Sequence, residues 1–219
     1  MADARLTFLR SSAFAAALAS TACSGATSPP PPAATAAPSR IEPGISFSDR
    51  GWQTFVSPRF FVAFPLPDAA EWRVDDKSGR WLAAAHVPSK SMLWVRAWRE
   101  GSVVSHAACE AVARGYRPDL LGRDESALGE RRPLGAPAGF DTELAFGVSR
   151  NKDALGAVVA AFGARVRQCL VVIYATRADG PDAQELVADR VGFIVDRVFA
   201  RMETRKIDDR VAPLVQTGR

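Results

Sequence analysis

Residues 140–148 read Phe-Asp-Thr-Glu-Leu-Ala-Phe-Gly-Val, and this stretch decides the fold of the chain. Apolar side chains recur at every second position, and two acidic residues stand between the first of them. Successive side chains of a strand point to opposite faces of a sheet, so this period of two predicts a half-buried β-strand. The apolar segments 157–162 and 166–176 follow it and predict a hairpin that turns near Gly163-Ala164.

The same alternation predicts three further strands on the N-terminal side. A short aromatic strand at Phe60–Phe64 is expected to end at Pro65 and Pro67, because proline interrupts strand pairing. Residues 81–87 and 92–98 both show the two-residue period, and the four residues between them predict a turn. We therefore expect these two strands to pair as an antiparallel hairpin.

Two segments show the helical spacing of apolar residues. The first is expected to begin after a capping Ser102 or Ser105, and Pro118 ends it. The second is expected to begin at Pro181, because proline suits the first position of a helix. Its apolar stripe extends to Met202, and the basic residues near its end complement the helix dipole.

The order of three strands, a helix, three strands and a long helix predicts a single α+β domain. We expect a mostly antiparallel sheet of about six strands, flanked by two main helices. This order, opened by Phe60, Pro65 and Trp72, resembles the layout of the Mog1/PsbP-like superfamily over roughly residues 50–203. The resemblance implies a layered sandwich that serves as a binding or assembly module, because members of that superfamily share no catalytic residue set.

The first residues of the chain predict export. Arg5 and Arg10 precede an apolar run of small residues, Ala13–Ala22, as in a secretory signal peptide over residues 1–22. The run is shorter than the roughly 20 apolar residues that a membrane-spanning helix needs. We therefore expect this segment to be removed rather than to remain as a membrane span.

Cys23 lies in the stretch Leu18-Ala19-Ser20-Thr21-Ala22-Cys23-Ser24-Gly25, which resembles the lipobox of bacterial lipoproteins. The resemblance implies that Cys23 is acylated and anchors the protein to a membrane, and Ser24 in place of aspartate favours the outer membrane. The stretch departs from the family at Ser20, where leucine is usual. The alternative is cleavage by an ordinary signal peptidase, which releases a soluble periplasmic protein.

Residues 23–48 are rich in proline, alanine and serine, and they include four consecutive prolines at Pro29–Pro32. Such a segment buries too little apolar surface to fold, and its prolines favour an extended conformation. We therefore expect a tether that joins the lipidated cysteine to one domain over residues 49–204. A flexible tail is expected over residues 205–219.

Composition and charge exclude one class of partner. The chain is 47% hydrophobic and 24% charged, which is typical of a globular protein with a sizeable core. It has 28 basic and 24 acidic residues, a net charge of +4. The basic residues are scattered along the sequence and form no basic cluster, so no nucleic-acid partner is expected.

The cysteine count favours a disulfide. If Cys23 is acylated, Cys109 and Cys169 remain as an even pair in an oxidising compartment. Cys109 falls on the first predicted helix and Cys169 on a predicted central strand, and that helix must pack on the sheet. The alternative is two buried, reduced cysteines that act as small apolar side chains.

Residues that could carry catalysis are sparse. His86 and His106 are the two histidines, and their separation of 20 residues offers no spacing for a metal site. No phosphate-binding glycine loop or nucleophile elbow is present, so no cofactor is expected. His86 is expected at the surface or rim of its strand. The alternative function is an envelope hydrolase assembled from scattered residues, in which a histidine meets a serine and a carboxylate in a pocket.

All five tryptophans lie in the first half of the chain. Strand alternation places Trp94 and Trp98 on one face with Arg96 between them. If a helix covers this face, the rings belong to the core and Arg96 extends outward to solvent. If the face is open, it is an aromatic platform for an envelope protein, a glycan or a lipid headgroup. The sequence thus predicts a lipid-anchored envelope protein that binds or assembles rather than catalyses.

Overall fold

The computed structural model of the protein describes residues 46–123 and 127–204. The predicted signal peptide, Cys23, all but the last three residues of the predicted tether and the predicted tail lie outside these residues. Within the described part of the chain, no helix is both long enough and apolar enough to cross a membrane.

The described residues form ten β-strands, which pair in two antiparallel sheets. The strands are β1 Gln53–Ser57, β2 Val62–Leu66, β3 Trp72–Asp75, β4 Leu82–His86, β5 Ser91–Arg99, β6 Glu130–Leu134, β7 Asp141–Asn151, β8 Ala154–Arg165, β9 Gln168–Asp179 and β10 Glu203–Thr204. The larger sheet has the order β3-β4-β5-β9-β8-β7-β6, and the smaller sheet has the order β1-β2-β10.

Strand β7 contains all but the first residue of the predicted strand at residues 140–148. Every residue of β7 pairs with β8, from Asp141 opposite Ala164 to Asn151 opposite Ala154. The alternation is correct, but the strand is not simply half-buried, because helices or strands cover both of its faces near Ala145. At its far end the predicted pattern fails, since Val148 is 72% exposed.

The hairpin between β8 and β9 turns at Val166-Arg167, three residues later than predicted. Gly163 pairs with Leu170 inside the hairpin instead of forming the turn. A Cβ atom at Gly163 would lie 3.0 Å from Thr142 Oγ1 and 3.2 Å from the Phe140 ring. A glycine at this position therefore permits a close approach between neighbouring strands.

The predicted hairpin of β4 and β5 is present, with Leu82 opposite Val95. The predicted strand at Phe60–Phe64 begins two residues later, because Phe61 turns the chain with a φ of 55°. Pro65 lies inside β2 rather than ending it.

Four of the ten strands were not predicted: β1, β3, β6 and β10. Strand β6 occupies a polar segment for which the sequence predicts no strand. Pro133 is tolerated there because β6 is an edge strand of the larger sheet and pairs with β7 alone.

Three helices accompany the sheets: α1 His106–Tyr116, α2 Pro118–Leu121 and α3 Ala183–Arg197. The Ser105 hydroxyl accepts a hydrogen bond from the Ala108 amide at 3.2 Å, so Ser105 is the N-cap of α1. Pro118 opens α2 after ending α1. Helix α3 begins two residues after Pro181 and is followed by a separate 3₁₀ turn at Phe199–Arg201, so the predicted long helix is divided.

The larger sheet lies between two layers. On one face, α3 and the smaller sheet share a core with residues such as Leu93, Val159 and Tyr174. On the other face, α1 and α2 pack on Phe162 and Ile173. The predicted α+β class, an antiparallel sheet flanked by helices, is confirmed.

Candidate functional site

Strand β5 carries the predicted Trp94, Arg96 and Trp98 on one face, towards α1 and α2. The intervening Leu93 and Val95 are fully buried on the opposite face, as the alternation requires. In the neighbouring strand β9, the residues opposite the three are Ile173, Val171 and Cys169. The tryptophan face is therefore continuous with the apolar floor beneath the two helices.

Arg96 is surrounded by aromatic rings. Its guanidinium carbon lies 4.0 Å from the ring centroid of Tyr116, 5.9 Å from Trp81 and 5.8 Å from Trp98. A cation within about 6 Å of a ring centroid is attracted by the negative ring face. Arg96 Nη1 is buried and has no hydrogen-bond acceptor among the described residues.

Arg117 makes a second stack beside the first. Its guanidinium carbon lies 4.5 Å from the ring centroid of Trp94. Arg117 Nε and Nη2 donate to the two carboxylate oxygens of Asp119 at 3.0 and 2.8 Å. The hydrogen bond from Arg117 lowers the pKa of Asp119, and this bidentate pair holds the guanidinium over the indole.

These side chains form a surface that is neither core nor open platform. Trp94, Arg96 and Trp98 are half-buried, Tyr116 is 42% exposed and Trp81 is 9% exposed. The end of α1 lies over the strand face and leaves its edge accessible. We call the following six residues the arginine–aromatic surface: Trp81, Trp94, Arg96, Trp98, Tyr116 and Arg117.

Three members of this surface were absent from the sequence-based set: Trp81, Tyr116 and Arg117. The register that pairs Leu82 with Val95 places Trp81 beside Arg96. The predicted hairpin would therefore have been enough to identify Trp81. Tyr116 and Arg117 are brought to the strand by the packing of α1, which no local pattern in the sequence specifies.

A disulfide fixes α1 to the same face of the sheet. Cys109 of α1 and Cys169 of β9 are bonded with an S–S distance of 2.01 Å, and their Cα atoms are 5.5 Å apart. Both cysteines are buried. The predicted pairing is confirmed, and a disulfide is compatible with a location outside the cytoplasm.

A buried ion cluster holds the other side of α1 against β6 and β7. Glu110, 3% exposed, accepts hydrogen bonds from Arg114 Nε at 2.9 Å and from Arg131 at 2.8 Å. Arg131 also donates to Glu143 at 2.6 Å. Burial alone would raise the pKa of Glu110, but the hydrogen bonds from the two arginines outweigh it and lower the pKa. His106 Nδ1 lies 4.0 Å from the Glu143 carboxylate at the rim of this cluster.

His86 is buried, and its predicted position at the surface is wrong. Its exposed fraction is 1%, because β3 pairs beside it and Phe47 from the N-terminal segment packs 5.0 Å from its ring. His86 Nδ1 lies 2.7 Å from Ser89 Oγ, and Ser89 in turn donates to Ser91 Oγ at 2.8 Å. Burial lowers the pKa of His86.

The His86–Ser89 pair lacks the arrangement that a hydrolase needs. A serine nucleophile gives its proton to the histidine, whereas the Ser89 proton is directed to Ser91. Ser89 is fully buried, and no described carboxylate is hydrogen-bonded to His86. Within residues 46–123 and 127–204, no group of three or more histidine, cysteine or acidic side chains is placed to hold a metal ion.

No protein-family model and no curated protein matches the chain. Among solved structures, it is similar to a crystal structure from Bacteroides thetaiotaomicron VPI-5482 at 1.50 Å resolution. The two share 10% sequence identity and a TM-score of 0.43, over 71% of this chain and 49% of the other. This chain thus spans about half the length of that structure, and a likeness at this level supports no conclusion about function.

Proposed function

We propose that this is an exported, lipid-anchored cell-envelope protein whose α+β domain is a non-catalytic binding module. The observation that carries the binding role is the position of Arg96, within 6 Å of three aromatic rings at a half-exposed surface. Tryptophan, tyrosine and arginine dominate the binding energy of protein interfaces. A surface built from these three residue types therefore supports recognition.

The partner that best fits the arginine–aromatic surface is an envelope protein with acidic side chains. A glycan stacks its sugar rings on open aromatic faces, but here Arg117 lies over Trp94 and Tyr116 lies over Arg96. An incoming carboxylate would pair with the guanidinium groups while apolar atoms cover the ring edges. These contacts favour a protein over a glycan.

The anchored location rests on residues of the N-terminal region and on the disulfide. Cys23 follows a lipobox-like stretch, and a proline-rich segment that suits a tether follows Cys23. The Cys109–Cys169 bond belongs to an oxidising compartment, which export would provide.

Intact mass and membrane fractionation test the anchor. Wild-type protein is expected to carry acyl mass and to sediment with membranes, whereas Cys23→Ala is expected to do neither. Alkylation with and without reductant, on the same samples, reports whether Cys109 and Cys169 are bonded in the exported protein. A soluble, unacylated wild type would overturn the anchor.

Photo-crosslinking in the native host tests the binding surface. A crosslinking residue replaces Tyr116, which is 42% exposed, or replaces Val148, which is 72% exposed on the far end of β7. We expect one discrete protein adduct at position 116, its loss when Arg117→Ala is added, and no such adduct at position 148. Equal labelling at both positions would refute the protein partner, and adducts to polysaccharide alone would indicate a glycan.

A further inference from the structure

The end of the larger sheet beside α1 is a tip made of two connected loops. Residues 100–105 lead from β5 into α1, and Val166-Arg167 form the turn between β8 and β9. The Glu100 amide donates to the Arg167 carbonyl at 2.9 Å, and the Val104 amide donates to the Val166 carbonyl at 2.8 Å. The Cys109–Cys169 disulfide lies directly behind both loops. These bonds hold the two loops as one rigid unit.

Two valines project from this tip without cover. Val103 is 74% exposed and Val166 is 68% exposed. Val166 also has a φ of 52°, a left-handed conformation that β-branched residues strongly disfavour. Two-residue hairpin turns of this kind usually contain glycine or asparagine. An exposed valine held in this conformation indicates that its side chain is used outside the fold.

Three arginines lie around Val166. Arg99, Arg165 and Arg167, with Glu100, Val166 and Gln168, line an open concavity of about 390 Å³. Among the described residues, no carboxylate lies within 4.0 Å of the charged nitrogens of these arginines. Glu100, the carboxylate in the lining, accepts a hydrogen bond from Trp98 Nε1 at 2.7 Å. The tip is therefore basic and has unpaired donors.

We propose that this tip docks on the surface of a bilayer that contains anionic phospholipids. Each arginine near such a surface gains from the negative surface potential, and the two valines enter the boundary between headgroups and acyl chains. A free phosphate would engage the arginines but would leave the valines in water. The combination of charge and exposed apolar side chains therefore selects the lipid surface over a soluble anion.

This contact is distinct from acylation of Cys23 and from the arginine–aromatic surface, to which the Trp98–Glu100 hydrogen bond joins it. An acyl anchor joined to a domain through a tether gives little control of the domain's orientation. A basic tip on the folded domain supplies a second contact with the same membrane. It also fixes which end of the domain lies next to the lipid.

Vesicle sedimentation tests the proposal on the full chain carrying Cys23→Ala throughout, so that no acyl chain contributes. The vesicles contain 30% phosphatidylglycerol in phosphatidylcholine, or phosphatidylcholine alone. The tip variants are Arg165→Gln with Arg167→Gln, and Val103→Asp with Val166→Asp. The matched control is Val148→Asp with Arg150→Gln, an exposed valine and arginine at the opposite end of β8, roughly 35 Å away.

We expect each tip variant to bind the anionic vesicles at least tenfold more weakly than its parent, since each basic residue contributes about fivefold. The control should bind as its parent does, and 0.5 M salt should weaken parental binding. Arg165→Lys with Arg167→Lys, which keeps the charge and the turn, should retain most of the binding. Binding that is unchanged in the tip variants, or is lost equally in the control, would overturn the proposal. Neither of these outcomes changes the crosslinking result expected at position 116. Failure of the lipid contact can therefore be distinguished from failure of the arginine–aromatic surface.

Discussion

Arg96 lies in the middle of a strand with three aromatic rings within 6 Å of its guanidinium carbon. The tightest of these contacts joins it to Tyr116, 20 residues away at the end of α1. The rings hold the cation at the boundary between core and solvent, where partial desolvation strengthens the attraction. This one side chain therefore links strand β5 to helix α1.

A double-mutant cycle measures that link. We expect Arg96→Ala and Tyr116→Ala, separately and together, to give a coupling free energy of about 1 kcal/mol in urea unfolding. The cycle subtracts the free energy of packing that each single alanine substitution loses. The pair Arg150→Ala and Tyr116→Ala, whose side chains do not interact in the structure, should show additive effects. A coupling near zero for Arg96 and Tyr116 would show that the stack contributes nothing to stability.

His86 makes stability depend on pH. Burial lowers its pKa below the ordinary 6.5, while Asp68 and Glu71 raise it and Arg190 lowers it further. The unfolded chain therefore takes up a proton on this histidine before the folded protein does. As pH falls from 6.5 towards the folded-state pKa, the free energy of unfolding decreases, by at most about 1.4 kcal/mol per pH unit.

Urea unfolding between pH 8 and pH 5 checks this expectation. The wild type should lose stability below pH 6.5, and His86→Gln should have a lower but flatter profile over the same range. A flat wild-type profile between pH 6.5 and pH 5 would contradict the buried neutral imidazole.

At the scale of elements, α1 is the helix on which the candidate surface depends. It is held by a capping serine at its start, a disulfide in its first turns, buried ion pairs on one side and the stacked Tyr116 and Arg117 at its end. Each device acts on a short stretch of the helix. Together they hold α1 where Tyr116 stacks on Arg96 and Arg117 stacks on Trp94.

The N-cap can be tested with a matched pair of serines. Ser105→Ala removes the acceptor for the Ala108 amide and should lower the free energy of unfolding by about 1 kcal/mol. Ser102→Ala, on an exposed residue of the same loop, should change it by less than about 0.5 kcal/mol. Equal effects of the two substitutions would show that Ser105 does not cap the helix.

Removal of the disulfide should have a larger effect. Cys109→Ala with Cys169→Ala opens a loop of 60 residues and should lower the free energy of unfolding by about 4 kcal/mol. Reductant should lower the melting temperature of the wild type and leave that of the double variant unchanged. A wild type insensitive to reductant under unfolding conditions would show that the bond is not formed.

At the scale of the whole molecule, the larger sheet is covered on both faces, and the N-terminal segment completes one of the layers. Phe47 packs between Trp72, His86, Tyr174 and Phe193, with ring centroids 5.0 to 6.4 Å apart. It packs on Tyr174, whose hydroxyl lies 2.9 Å from Ser91 Oγ in a buried chain that continues to Ser89. Phe47, which falls inside the predicted tether of residues 23–48, is thus part of the core.

Phe47→Ala should lower the free energy of unfolding by about 3 kcal/mol, because it removes a buried ring and leaves a cavity above His86. Phe61→Ala, at a phenylalanine that is 51% exposed, is the control and should have an effect below about 1 kcal/mol. Thermal and urea unfolding measure both. An equally small effect at Phe47 would place the start of the folded domain after this residue.

The sequence by itself determined the features that depend on neighbouring residues. Strand alternation, the hairpin of β4 and β5 and the α+β order follow from side chains within a few positions of one another. So does the presence of Trp94, Arg96 and Trp98 on one face. Local sequence limited the cap of α1 to Ser102 or Ser105, and the structure selected Ser105. The cysteine pair followed from counting and from the need of a helix to pack on a sheet. Edge strands such as β6 were missed because an edge strand needs one partner and little apolar patterning.

Only the tertiary structure decided which elements distant in sequence contact one another. Tyr116 contacts Arg96, Phe47 covers His86, and the Val104 amide donates to the Val166 carbonyl because strands and helices far apart in sequence occupy neighbouring places in the layers. Periodicity states which face a side chain occupies, but it carries no information on which distant element covers that face. The half-exposed state of the tryptophan face and the basic tip both arise from this long-range packing, so no local pattern could have revealed them.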